Sequence, residues 1–195
     1  MSRPTRLIAL AVTAMLAASP ALAHLDHAEH GSFAAGFSHP LFGLDHILAM
    51  IAVGLWAAVL GGRAMLVVPA AFVTAMLAGF AAAIGGFPLI HVEPMILASI
   101  IVIGVLIAMR ARMSIMTGAA LMAVFAFFHG HAHGGELGGA GAATFGAGFV
   151  VATVALHAGG VVLGLLIARM GAGNGVVMRL LGGATALAGV LLAFG

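Results

Sequence analysis

"HPLFGLDHILAMIAVGLWAAVL", residues 39–60, places two histidines and an aspartate at the head of a segment that is apolar to its end. A helix rises about 1.5 Å per residue, so this stretch is long enough to cross a hydrocarbon core about 30 Å thick. The pattern predicts a transmembrane helix over about 40–60 whose first turns hold imidazole and carboxylate. Ionisable groups within a span cost about 2.5 to 3.5 kcal/mol each at mid-depth and less near the interface. Where they occur, they face either a pathway or the headgroups, and the rest of the chain bears on which.

The composition extends the membrane reading to the whole molecule. Of 195 residues, 64% are hydrophobic and only 6% are charged, well outside the range of soluble domains. Lysine is absent and the seven basic residues are all arginine, so no basic face is present to hold a nucleic acid. The absence of cysteine excludes disulfides, thiolate metal sites and cysteine nucleophiles. With no lysine there is also no Gly-x-x-x-x-Gly-Lys loop, which excludes ATP hydrolysis through a P-loop.

At the N-terminus, Arg3 and Arg6 precede an apolar run from Leu7 to Ala18, followed by Pro20 and the small-residue triplet Ala21-Leu22-Ala23. This reads as a secretory signal peptide, residues 1–23, the alternative being an uncleaved first membrane helix. Cleavage after Ala23 leaves residues 24–38 as an extracytoplasmic tail with His24, Asp26, His27, Glu29 and His30.

The fold class expected beyond it is all-α, with residues 39–195 forming a six-helix transmembrane domain. Six apolar segments run approximately 40–60, 65–86, 90–109, 113–132, 146–168 and 176–194, separated by Gly, Pro and Arg punctuation. Helices are expected because an open strand leaves its backbone groups unsatisfied in lipid. With the mature N-terminus outside, Arg63, Arg110, Arg112, Arg169 and Arg179 all fall on the cytoplasmic side and none falls outside. Both mature termini are then periplasmic, in a multi-pass protein of a bacterial inner membrane. Gly160 and Gly164, four residues apart, suit close contact between helices.

The arginines also provide a ruler. His46 lies 17 residues from Arg63, Glu93 lies 17 from Arg110, and His129 lies 17 from Arg112. Each is therefore expected about 25 Å above the inner surface. Asp45 is adjacent, His39, His91 and His133 lie slightly higher, and His157 lies deeper, 12 residues from Arg169. On helical faces, His39, Gly43, His46 and Met50 form one stripe, and His129, His133 and Glu136 form another if the fourth helix persists that far. Glycines 130, 134 and 135 argue against that continuation. His131 points the other way, Met50 reads as core, and Pro40 and Pro94 suit first turns of helices.

Imidazole and carboxylate without thiolate form a ligand set suited to divalent nickel, zinc or cobalt rather than Cu(I). His39, Asp45, His46, His129, His133 and Glu136 are the principal candidate metal ligands, with Glu93, His91 and His157 in addition. Simple headgroup exposure is the alternative for His91 and His133, and a single interhelical hydrogen bond for His157.

Two motifs carry a family resemblance. "HPLFGLDH" matches H-P-x-x-G-x-D-H at His39, Pro40, Gly43, Asp45 and His46. "FHGHAHGGE" matches F-H-G-x-A-H-G-x-E at Phe128, His129, Gly130, Ala132, His133, Gly134 and Glu136. With a leader and six spans, the chain resembles, over essentially its whole length, the HupE/UreJ family of hydrogenase and urease accessory proteins, which are nickel permeases. The resemblance implies a transporter and not an enzyme, importing Ni²⁺ from the periplasm for a nickel enzyme, with Co²⁺ or Zn²⁺ as other cargo. It implies no catalytic cofactor. Partners would be lipid, the metal ion and cytoplasmic nickel chaperones, and the sequence leaves the oligomeric state open. In that scheme His24, His27 and His30 gather cations at the mouth and His157 receives them next. Two other classes compete: an intramembrane zinc-dependent hydrolase, although no HExxH is present, and a haem protein ligated by histidine pairs.

Overall fold

The structure is a computed structural model that describes residues 32–137, 141–171 and 174–194, and only the backbone of Glu136 and Asn174. The expected signal peptide and the tail histidines His24, His27 and His30 lie outside the described residues. The elements are α1 (Phe33–Phe42), α2 (Leu44–Leu60), α3 (Ala64–Ile84), α4 (Val92–Ala108), α5 (Ile115–Leu137), α6 (Ala142–Ala168) and α7 (Asn174–Phe194). No strand occurs among the described residues.

Four helices, α3, α5, α6 and α7, are long and apolar enough to cross a membrane, and a fifth such span results if α1 and α2 count together. Helix α4 is apolar but only 17 residues long, about 25 Å. The protein is thus an all-helical membrane protein with four to five candidate spans.

The opening segment departs from expectation. It is not one helix over 40–60: α1 and α2 meet at an 84° bend at Gly43. Pro40 is not in a first turn but in the last turn of α1, and Gly43 follows with extended backbone (φ −89°, ψ 115°). Proline deprives the turn of an amide donor, and the extended glycine redirects the chain before Leu44 restarts a helix. Upstream, α1 begins at Phe33, capped by the Ser32 hydroxyl accepting from the Ala35 amide at 3.0 Å. Pro94 does lie in the first turn of α4. The glycines in α5 do not stop it, and it runs on to Leu137.

Helices pack α3 on α5, α4 on α7, and α6 on both α1 and α2. Glycines let the backbones touch. A Cβ on Gly54 of α2 would run into the carbonyl oxygen of His157 on α6, and one on Gly160 of α6 into that of Ile51. In lipid, where apolar burial provides no drive between helices, such close approach maximises dispersion and Cα–H···O contact. Gly164 continues the contact, its would-be Cβ meeting Ala58. Between the helices lies a core that includes Met50, Val53, Trp56, Phe72, Met76 and Phe149, none more than 1% exposed.

The two ends of the molecule differ in chemistry. At one end the Trp56 indole donates to the Ala111 carbonyl at 3.1 Å. There Arg110 and Arg112 line a pocket with Ala58, Val59, Ile167 and Ala168, the closing turns of α2 and α6. At the opposite end of α2 stands His46.

Candidate metal centre

The bend at Gly43 positions the first candidate pair. Asp45 and His46 occupy the first turn of α2, where the unpaired amides of a helix start favour a carboxylate. His46 Nδ1 lies 2.8 Å from Asp45 Oδ1. An ionised carboxylate only accepts, so it holds the proton on Nδ1 and leaves Nε2 with a lone pair. A Cβ on Gly43 would fall 2.8 Å from Asp45 Oδ1 and 2.8 Å from His46 Nδ1. Those are side-chain atoms, which can yield without unfolding the helix. Gly43→Ala is therefore expected to keep normal abundance in the membrane while disturbing the Asp45–His46 pair, so that any metal affinity built on that pair falls about 10- to 100-fold, as loss of a ligand-orienting partner does. Metal titration of the purified variant, beside its abundance in the membrane, measures this.

Helix α5 brings the second pair, His129 and His133, one turn apart and both buried, at 0% and 3% exposure. The glycine after each histidine has its own purpose. Gly130 and Gly134 press against the backbone of α3 at Met76 and Phe80. That contact turns the neighbouring imidazoles toward α1, α2 and α4. His131, on another face, hydrogen-bonds the Phe87 carbonyl at 2.8 Å.

The rings converge. His46 Nε2 and His133 Nε2 are 2.6 Å apart. The His39 ring stands edge-on to His133 at 4.5 Å between centroids, and His46 stands edge-on to His129 at 5.4 Å. Thus α1, α2 and α5 place four imidazoles and one carboxylate together, with Phe145 and Phe149 of α6 as an aromatic wall on His39 and His133.

Among the described residues no three His, Asp or Glu side chains are disposed as a finished metal-binding group. The His46 and His133 Nε2 atoms stand 2.6 Å apart. Two nitrogens each about 2.0 to 2.1 Å from one ion stand about 3 Å apart or more. The rings must part by roughly half an ångström for both to ligate. What is present is a close-packed set of potential donors.

His129 has its own orienting partner. Ser99 of α4 gives its single hydroxyl proton to the Ile96 carbonyl at 2.6 Å. Its oxygen then accepts from His129 Nε2, 3.1 Å away. The ring's other nitrogen, Nδ1, carries the lone pair, is buried and has no protein partner.

Not every candidate is drawn in. Glu93 and His91 lie exposed at the start of α4, His91 in the left-handed conformation with φ 58°. The side chain that α4 contributes to the cluster is Ser99, six residues further along. The expected single stripe of His39, Gly43, His46 and Met50 gives way to a bend, and Met50 is fully buried core. Glu136 falls in the last turn of α5 with its backbone alone described. His157 lies deeper, buried against Phe72. Sequence reasoning missed the role of Ser99 and of Phe145 and Phe149. A hydroxyl in mid-span and two phenylalanines one turn apart were the available signals.

Fold and site together define an all-helical membrane protein with a buried histidine cluster at one end and arginines at the other. A family model described as "HupE / UreJ protein" matches residues 11–192. The chain is also 44% identical over 189 residues to "Protein HupE" of Rhizobium leguminosarum bv. viciae, covering 94% of this chain and 97% of that one. The chain belongs to the HupE/UreJ family. No solved structure matches it.

Proposed function

We propose that the protein is a permease that carries a divalent transition metal, Ni²⁺ foremost, from the periplasm to the cytoplasm for maturation of a hydrogenase or urease. The observation that carries this reading is the meeting of His46 and His133 at 2.6 Å, with Asp45 setting the His46 tautomer, where helices α1, α2 and α5 converge. Buried imidazoles turned toward one another, with a carboxylate holding one tautomer, suit a borderline cation exchanging its water shell. Membership of the family adds support. Nothing in the site or the comparisons supports an intramembrane hydrolase: the hydroxyl beside the cluster, Ser99, is engaged with Ile96 and His129.

In this reading there are six spans, with α1 and α2 as one broken span and α4 as a short one. The leader is removed, and the arginine end faces the cytoplasm, as the positive-inside rule requires. His39, Asp45, His46, His129 and His133, with Glu136 near the mouth, take the ion. His24, His27 and His30 of the tail concentrate it, and Glu93 and His91 act at the rim. Cytoplasmic nickel chaperones receive the cargo. Bending at Gly43 is how the His46–His133 pair opens by the half ångström that chelation needs.

The membrane potential is sufficient drive. An inside-negative potential favours a double charge by about 4.6 kcal/mol per 100 mV, which sustains roughly thousandfold accumulation. Radioactive nickel uptake by cells producing the protein is therefore expected to fall steeply when the potential is collapsed. Competition by unlabelled cobalt, zinc and copper ranks the cargo. Uptake that persists unchanged without a potential refutes the facilitated mechanism, and absence of any protein-dependent metal uptake refutes the permease.

A further inference from the structure

Buried polar groups are almost always partnered, and an orphan demands a physical reason. His157 on α6 is 1% exposed, and neither of its ring nitrogens meets a protein partner. In a membrane interior an unpaired imidazole destabilises the fold relative to an apolar ring of similar size.

Its surroundings are specific. The Phe72 ring of α3 stands edge-on to His157 at 4.9 Å, and the same ring packs on His129 at 5.6 Å. One turn before His157, the Thr153 hydroxyl donates to the Met76 sulfur at 3.7 Å, and Met76 is itself one turn beyond Phe72. Helix α6 thus sets His157 and Thr153 against Phe72 and Met76 of α3, all four no more than 1% exposed. His129, packed on the same Phe72 ring, also has a buried nitrogen, Nδ1, with no hydrogen-bond partner. Two imidazoles from two helices pack on one phenyl ring, each with at least one nitrogen unpartnered.

We propose that His157, with Thr153 and Met76 beside it, is a second, inner station for a divalent transition-metal cation, separate from the His39–His46–His133 cluster. This rests on the permease reading and deepens it. Imidazole suits nickel, cobalt, zinc and copper, thioether is soft, and a neutral hydroxyl is a weak ligand. So sparse a donor set binds loosely, which is what an ion that must leave requires. His129 lies between the two stations in the packing: its Nε2 is fixed by Ser99, and its ring packs near both His46 and Phe72. The cost of an orphan histidine is then the cost of keeping a place for a passing ion.

The test uses the full protein, purified in lipid nanodiscs and titrated with Ni²⁺ and, for its ligand-field spectrum, Co²⁺. Wild type is expected to bind two ions. His157→Phe is expected to bind one, to retain the spectrum of the outer ion, and to melt at a higher temperature when metal-free, because two unsatisfied nitrogens are gone. Uptake by that variant falls about tenfold or more. His157→Leu, smaller and flexible, gives the same comparison if the phenyl ring crowds Phe72. His46→Ala retains the inner ion. Equal stoichiometry and spectra in wild type and both His157 variants overturn the proposal, as does a metal-free melting temperature that falls in both. Wild type that binds only the ion lost in His46→Ala defeats the inner station alone. Wild type that binds no divalent metal defeats the permease reading itself.

Discussion

Replacing His46 by alanine is expected to abolish metal uptake while the protein still accumulates in the membrane. His46 is the hub of the cluster: it lies 2.8 Å from Asp45, 2.6 Å from His133 and, ring to ring, 5.4 Å from His129. Truncation removes one donor and leaves Asp45 without the ring it orients. It also takes from His133 the nitrogen it faces. Loss of an orienting partner alone costs about 10- to 100-fold in affinity, so loss of the hub ligand exceeds that range. The membrane fold need not suffer, because His46 stands in the first turn of α2 rather than at its glycine contacts. His131→Ala is the informative control. It lies in the same motif as His129 and His133 but hydrogen-bonds Phe87, so its uptake is expected to stay close to normal. Undiminished uptake by His46→Ala at normal protein level refutes the role given to the cluster.

The histidines of α5 were legible in sequence because one regular helix carries them, and helical periodicity holds along it. The glycines that argued for its early end were misread. In lipid a helix has no competing water to hydrogen-bond its backbone, and Gly130 and Gly134 serve close approach to α3 rather than termination. The residues of the first motif were legible too, but their geometry was not. Periodicity counted across Gly43 assumes the helix continues, and Pro40 with an extended glycine bends the chain by 84°. His39 meets His133 by that turn and not by sharing a stripe with His46. Glu93 shows the limit of a ruler based on residue counts. It treats every helix as perpendicular to the membrane and anchored at its arginine. Yet α4 begins only at Val92, which leaves Glu93 exposed at its start, and Ser99 is what meets His129. Tilt and crossing are set by packing against neighbours, which the spacing of residues along one helix does not encode.

Packing is also where the second large effect lies. Gly159 and Gly160 are adjacent on α6, and leucine at either raises helix propensity equally. Their surroundings are opposite. A Cβ on Gly159 meets nothing within 4 Å, whereas one on Gly160 collides with the backbone of α2 at Ile51, Leu55 and Gly54. Backbone atoms in a continuous helix cannot step aside as a side chain does, so α2 and α6 must separate along their whole contact. Overpacking of a core costs about 1 to 3 kcal/mol even where side chains can adjust. Here the cost lies at or above that upper end, against a total stability of about 5 to 15 kcal/mol. Gly160→Leu is therefore expected to lose most of its folded protein, read as low membrane abundance and aggregation on solubilisation. Gly159→Leu should match wild type in abundance and uptake. The consequence reaches the site, because α2 carries Asp45 and His46 and α6 carries His157, Phe145 and Phe149. Any Gly160→Leu protein that survives holds its ligands at the wrong separation and should fail in uptake per molecule as well. Equal abundance of the two leucine variants would mean that α2 and α6 do not meet at this glycine, and the wall of the metal centre would have to be placed elsewhere.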